Sequence, residues 1–181
     1  MSDKTHIMDI TNIRKRARQH VEQGAVTDGY KANRKIVIKL LNEALATEII
    51  CVLRYKRHYF MVAGINAQSI AAEFIEHANE ELGHIDLIAQ RIAQLDGEPN
   101  FSPQELSNRA HSEYMAGNSL LEMMREDLIA ERIAIDSYRE MIDYLGEDDP
   151  TTRRVMEEIL AVEEKHAGDL STLLEGFDLV H

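Results

Sequence analysis

The sequence has no tryptophan, one cysteine and three prolines, and aromatic residues make up 6% of it. Each shortage removes a class of protein. A single thiol, Cys51, cannot form a disulfide framework or a thiolate-only metal site, and it fits a reducing compartment. Few prolines and few aromatics argue against a sandwich of short strands and suit a helical bundle. No apolar run approaches the length of a membrane span, and none follows the first basic residues as the core of a secretory signal would. A cytoplasmic protein that does not engage a membrane is therefore expected. At 181 residues the chain is one domain's worth, long enough to bury a core without structural metal or disulfides.

Positive charge is also scarce, and it is unevenly placed. The formal net charge is −12. Residues 1–39 hold nine Lys or Arg against four Asp or Glu, a balance of +5, and the rest hold eleven against twenty-eight, a balance of −17. An acidic body collects cations and repels nucleic acid. The basic leader carries "RKRAR", Arg14 to Arg18, which could touch a phosphate backbone, but such a run is more often a solvated helix face. Nucleic acid is thus a conceivable partner and not the favoured one.

What is present is helical periodicity. Four long segments carry apolar residues at alternating steps of four and three, over about Arg34–Ala63, Ala67–Leu95, Ser119–Leu145 and Thr151–Glu175. Gly97 and Pro99 close the second, and a polar connection with a short helix after Ser102 precedes the third. Residues 10–23 predict a short amphipathic helix on Ile10, Ile13, Ala17 and Val21. The expected domains are a basic extension over 1–33 and a four-helix bundle over 34–176, with a long crossover between the second and third long helices.

Four of the stripes contain residues that do not belong in a core. The first long helix turns Glu48 inward with Tyr55 seven positions on, and the third repeats this with Glu131 and Tyr138. The second carries Glu81 and His84, and the fourth Glu163 and His166. Glu48 and Glu81 are 33 residues apart, and Glu131 and Glu163 are 32 apart. The chain therefore reads as one helix pair used twice about an approximate two-fold. Residues three apart on a helix reach one point beside it. Four carboxylates meeting in a core repel one another, whereas two divalent cations and two neutral imidazoles leave the cluster neutral. One Glu from each of two helices plus Glu-x-x-His from each of the others is the di-iron or di-manganese carboxylate arrangement. Oxygen-rich donors without thiolate favour iron, with manganese as the alternative, over a closed zinc site.

On this pattern Glu81 and Glu163 are expected to bridge two metals, Glu48 and Glu131 to cap one each, and His84 and His166 to give one nitrogen each. Around them, Tyr55 and Tyr138 either orient the ligand carboxylates or serve as core aromatics. His58 and His77 share the inward stripe, as guides for incoming iron or as satisfied core histidines. Cys51 reads as a small buried apolar residue, and Met61, Met123, Met124, Met141 and Met156 as gap-fillers.

"LNEALATEIICVLRYKRHYF", "ANEELGHIDLIAQRIAQLDGEPN", "DLIAERIAIDSYREMI" and "ILAVEEKHAGDLSTLLE" resemble the four helices of the bacterioferritins, within the ferritin-like superfamily. The resemblance covers about residues 35–175. It implies oxidation of Fe²⁺ at the paired site and deposition of ferric mineral inside a hollow cage. The sequence departs from that family in three places. Where a haem-binding methionine follows the second helix's ligand Glu, this chain has Leu82, so no haem is expected. Fifteen residues follow His166, which looks too few for the fifth helix of 24-subunit ferritins. About thirty residues precede the first long helix. These features are similar to Dps-like mini-ferritins, twelve-subunit cages with a bacterioferritin-type site inside each bundle. The resemblance implies a ferroxidase using hydrogen peroxide or O₂, with iron detoxification and protection from oxidative stress as its outcome. Some relatives carry a cysteine pair that Cys51 alone cannot make. Rival readings are a non-storage di-metal enzyme of manganese catalase, peroxidase or oxygenase type, or a DNA-binding protein acting through the basic leader.

Overall fold

The computed structural model describes residues 8–63 and 67–178, and among these it contains helices and no strand. A short helix α1 (Ile10–Arg16) and a single 3₁₀ turn (Val21–Gln23) precede four long helices: α2 (Arg34–Met61), α3 (Ala67–Gln94), α5 (Leu120–Leu145) and α6 (Pro150–Asp178). Between α3 and α5 the crossover contains the four-residue helix α4 (Leu106–Arg109). The expected all-α bundle with its long crossover is what forms, and helix ends fall within three residues of expectation. No helix among the described residues is long and apolar enough to cross a membrane.

Local chemistry sets the helix starts. Asn33 caps α2 by accepting from the Ile36 amide at 3.3 Å, and Ser119 caps α5 by accepting from the Glu122 amide at 3.2 Å. Asp149 accepts from the Thr152 amide at 2.9 Å, directly before Pro150 at the first position of α6, where its missing amide costs nothing. The end of α3 differs from the expected glycine stop. Asp96 takes the left-handed conformation (φ 59°), and Gly97 is needed instead for room: a Cβ there would meet Ile38 at 3.0 Å. This contact seats the foot of α3 against the head of α2.

α2 pairs antiparallel with α3, and α5 with α6. The crossover then runs beside α2. Asn42 bonds the Asn100 amide (2.7 Å) and the Glu98 carbonyl (3.2 Å), Thr47 accepts from the His111 amide (2.9 Å), and Arg54 reaches the Glu113 carbonyl (3.2 Å). This third neighbour explains why α2 is buried on more than the expected stripe, with Leu45, Ala46, Thr47, Ile50 and Arg54 enclosed as well. In α5 the inward face likewise takes in Met123, Asp127, Ala130 and Met141, whereas Leu128 is only half-buried.

Two expectations need correction. The residue 10–23 segment is interrupted after Arg16, and Ile10, Ile13 and Val21 stand 45%, 40% and 71% exposed. Its apolar face has no partner among the described residues, so periodicity there does not translate into burial. Met61 is 55% exposed at the end of α2 and fills no gap, unlike buried Met123, Met124, Met141 and Met156.

The core has two apolar clusters. One holds Val37, Leu41, Leu45, Ile88, Ile92, Tyr138, Leu145 and Ile159, and the other holds Cys51, Tyr55, Ile70, Phe74, Met124 and Leu170. The polar residues at mid-bundle occupy the layer between them.

Candidate metal centre

Glu48, Glu81, His84, Glu131, Glu163 and His166 converge in that layer, and none is more than 5% exposed. They form two groups of four, Glu48–Glu81–His84–Glu163 and Glu81–Glu131–Glu163–His166, with candidate ligand atoms within 4.8 Å of one another in each. Glu81 and Glu163 belong to both. His84 Nδ1 lies 2.9 Å from Glu81 Oε2, 3.0 Å from Glu163 Oε1 and 3.3 Å from Glu48 Oε2. His166 Nδ1 lies 3.4 Å from Glu81 Oε1, 3.7 Å from Glu163 Oε2 and 3.9 Å from Glu131 Oε2. Each shared carboxylate thus turns one oxygen toward each imidazole, while Glu48 and Glu131 attend one side each.

The two tyrosines hold the unshared carboxylates from the opposite helix. Tyr55 on α2 donates to Glu131 on α5, and Tyr138 on α5 donates to Glu48 on α2. Both tyrosines also belong to the apolar clusters, so they pack as core aromatics while their hydroxyls hold the two carboxylates. His166 Nε2 is fixed by Glu80, 2.6 Å away, which leaves Nδ1 facing the carboxylates. Glu80 escaped notice in the sequence because it lies beside the stripe, adjacent to Glu81.

Electrostatics show how the cluster remains buried without ions. Burial and the charge of Glu81 push Glu48 up to about 8. Burial and the charges of Glu81 and Glu131 raise Glu163 well above the carboxylate range. Burial pushes Glu131 the same way, but its interactions with the neighbouring Glu163 and His166 outweigh it and hold it down at about 2. Glu81 is lowered for the same kind of reason. Burial disfavours charge on both imidazoles, yet the surrounding carboxylates lift His84 to about 12 and raise His166 as well. Two protonated carboxyls, two carboxylates and two imidazoliums sum to zero.

Protons satisfy the charge but not the geometry. Glu81 Oε1, Glu131 Oε2 and His166 Nδ1 are buried without a hydrogen-bond partner, and all three face the same space. Such atoms are costly to bury unpartnered, and once His166 gives up its proton all three have lone pairs to offer. Two divalent cations would do so, one per group, with oxygen and imidazole donors suited to iron or manganese.

Other sequence candidates lie elsewhere. His58 bonds the Asp127 carboxylate at 2.7 Å and the Ala116 carbonyl at 2.9 Å, so it pins the crossover to α2 rather than facing the six groups. Its partner Asp127 also receives Arg54 at 2.8 Å, both fully buried. The only sequence signal for this pair is that both lie on inward arcs one turn from other polar core positions. Cys51 is buried, and burial pushes its thiol pKa well up, consistent with an inert apolar role. His77 stacks on His166 with ring centroids 3.9 Å apart, and burial and His166 lower its pKa to about 4. Leu82 is 43% exposed.

The family pattern for the ferritin-like domain matches residues 38–180. A bacterioferritin from Rhodobacter capsulatus is 32% identical over 143 residues, 78% of this chain and 84% of that protein. A bacterioferritin from Mycobacterium avium is 33% identical over 143 residues, 78% of this chain and 86% of that one. Among solved structures, a dodecameric thioferritin, the bacterioferritin-related protein of Bacteroides fragilis, superposes with a TM-score of 0.80. It is 32% identical and the match spans 83% of this chain and 90% of that one. Dps from Thermosynechococcus elongatus shares the fold, with a TM-score of 0.74 at 22% identity over 77% of this chain and 90% of its own. A match over most of the chain, centred on the helices that carry the paired carboxylates, places this protein in the ferritin-like family.

Proposed function

We propose that the protein is a ferroxidase mini-ferritin: it binds two Fe²⁺ per chain, oxidises them with hydrogen peroxide or O₂, and stores ferric mineral in a cage of its own copies. One observation carries this reading: two four-residue groups share Glu81 and Glu163, so a pair of ions would sit side by side with bridging carboxylates. The Fe²⁺ ions are substrate. With peroxide, two Fe²⁺ give up one electron each, and one H₂O₂ with two protons becomes two waters. Glu48 and Glu131 are held in place by Tyr138 and Tyr55, and the protons that occupy Glu48, Glu163 and the imidazoles leave as the metals enter. The apolar residues of the two clusters above and below limit the access of bulk water to the centre.

The B. fragilis relative is dodecameric, and we extend a twelve-subunit cage to this chain. The acidic body suits an interior that draws in Fe²⁺. We assign no haem, because the exposed position next to Glu81 is Leu82, a side chain with no ligand atom. The R. capsulatus bacterioferritin, by contrast, holds haem iron. We read residues 1–33 as an extension separate from the bundle over 34–176; in its described part the Tyr30 hydroxyl donates to Asp149 at 2.8 Å.

The test is aerobic titration of metal-free protein with Fe²⁺, with and without peroxide, following ferric absorbance and the iron that stays with the protein. Oxidation continuing far beyond two irons per chain supports storage. Oxidation that stops at two points to a closed-cycle di-metal enzyme, and oxidation no faster than in buffer rejects both.

A further inference from the structure

Beside the paired centre lies a cluster that the six groups do not use. Glu73 and His77 on α3 and Asp169 on α6 bring candidate ligand atoms within 4.8 Å of one another. The His77 side chain is fully buried, whereas those of Glu73 and Asp169 are 30% and 38% exposed, so the cluster runs from solvent to core. His77 Nε2 is buried and has no hydrogen-bond partner; Glu73 Oε1 stands 3.5 Å away and Asp169 Oδ2 3.8 Å away.

The hydrogen-bond pattern says what that nitrogen carries. Tyr55 gives its one proton to Glu131, so its oxygen accepts from His77 Nδ1 at 3.2 Å. In the neutral ring the proton is then on Nδ1 and the lone pair on Nε2. That lone pair faces two carboxylates, three acceptors without a proton among them. Lys165 Nζ answers Asp169 in part, at 3.8 Å, but it is also drawn to Glu80 (3.3 Å) and Glu76 (3.9 Å).

The internal repeat supplies a control. Positions in α6 correspond to those in α3 at an offset of 82 residues, as Glu163 does to Glu81. Glu73, His77 and Asp169 correspond to Val155, Ile159 and Leu87, which all pack in the apolar cluster at the other end. The bundle therefore packs well with apolar residues at these places, and the polar version exists at one end alone.

We propose that Glu73, His77 and Asp169 form a third site, for a single divalent cation, from which Fe²⁺ is handed to the His166 side of the paired centre. His77 is the link. It stacks on His166, and with Glu131 and His166 it forms a further group of candidate ligand atoms within 4.8 Å. One side chain thus serves both the outer site and the inner one. The transit role rests on the ferroxidase reading; the binding site itself does not.

Co²⁺ is the probe, located by its anomalous scattering in crystals of the full chain, for the natural protein and for a Glu73→Gln/Asp169→Asn variant. Both substitutions are nearly isosteric and half-exposed, and Glu73→Gln alone serves if the double variant fails to fold. A Co²⁺ peak among the three residues that vanishes in the variant, while two peaks at the paired centre persist, supports the site. No third peak when the paired centre is filled overturns it, and so does a peak that survives the substitutions. No Co²⁺ at either place overturns both the site and the paired-centre reading. The transit role is read separately by stopped flow. The variant should oxidise limiting Fe²⁺ more slowly and saturating Fe²⁺ at the natural rate; equal rates under both conditions would sink the handover.

Discussion

The two halves of the candidate metal centre share one plan of carboxylates and imidazoles and differ in what surrounds it. Glu48 receives Tyr138 as Glu131 receives Tyr55, and on the Glu48 side lies the apolar cluster with Leu45, Ile88 and Ile159. Glu131 and His166 instead neighbour Tyr55, His77 and Glu80, with Arg54, His58 and Asp127 buried farther along the same end. The repeat pairs Ala44 with Asp127, His58 with Met141 and His77 with Ile159, so at these positions the polar residues lie on one side of a near-symmetric frame, while the other end keeps a buried pair of its own, Arg91 with Asp149 at 2.9 Å. On the proposed function, equal ligand sets would hold two ions, and unequal walls would give those ions a direction of entry. A sealed end and a polar end are what a centre needs if its substrate must arrive by one route and still meet a low-dielectric site.

The comparison can be broken most severely at the residues both halves share. Glu163→Ala removes an oxygen donor from each group at once, and should cut the initial rate of Fe²⁺ oxidation by on the order of 100-fold or more, with metal bound per chain falling too. Rates and bound metal measured together check this. The charge balance gives a related prediction. Two carboxyls and two imidazoles carry protons in the metal-free protein, so filling both sites near pH 7 should release about four protons per chain. Release should shrink as pH rises through about 8, where Glu48 gives up its own proton. Acid should weaken metal binding, because below that pH each ion must displace protons that are already held. A pH-stat titration with Zn²⁺ reads both.

Polarity at one end can be removed without touching a ligand. Asp127→Asn leaves Arg54 charged and unpaired in a fully buried place, at a cost of about 3–5 kcal/mol in unfolding free energy. Ala44→Ser, a small change at the matching place on the apolar end, should cost far less by the same chemical denaturation. The tyrosines test the halves against each other. Tyr138→Phe frees Glu48 and Tyr55→Phe frees Glu131, each lowering metal affinity about 10-fold to 100-fold. Tyr55→Phe should be the more damaging to uptake rate, since it also releases His77. The smallest effect is expected at Gly97→Ala, where Ile38 must move by a few tenths of an ångström, for about 1 kcal/mol by thermal melting.

Much of this was legible in the sequence. The spacing of Glu81 to His84 and of Glu163 to His166 puts each pair on one face whatever the helix packs against, and the repeat put the four carboxylates at one level. What escaped was everything decided across helices. Arg54 and Asp127 are 73 residues apart, and neither breaks a pattern enough to announce a pair. Burial of Leu45, Ala46 and Thr47 follows from the crossover lying along α2, which no periodicity within α2 encodes. The stripe over Ile10, Ile13 and Val21 failed in the opposite sense, because an amphipathic face is buried only if another surface meets it.

The sequence alone therefore determined the four helices and the inward placement of the six candidate ligands, since these depend on a fixed rise and turn per residue and on neighbours within one helical turn. Only the tertiary structure decided which oxygens of Glu81 and Glu163 face which imidazole, which tyrosine serves which carboxylate, and that Glu73 and Asp169 meet at His77. Those outcomes depend on the register and approach of one helix against another, set by the packing of whole faces such as Gly97 under Ile38, and no local stretch of sequence carries that information.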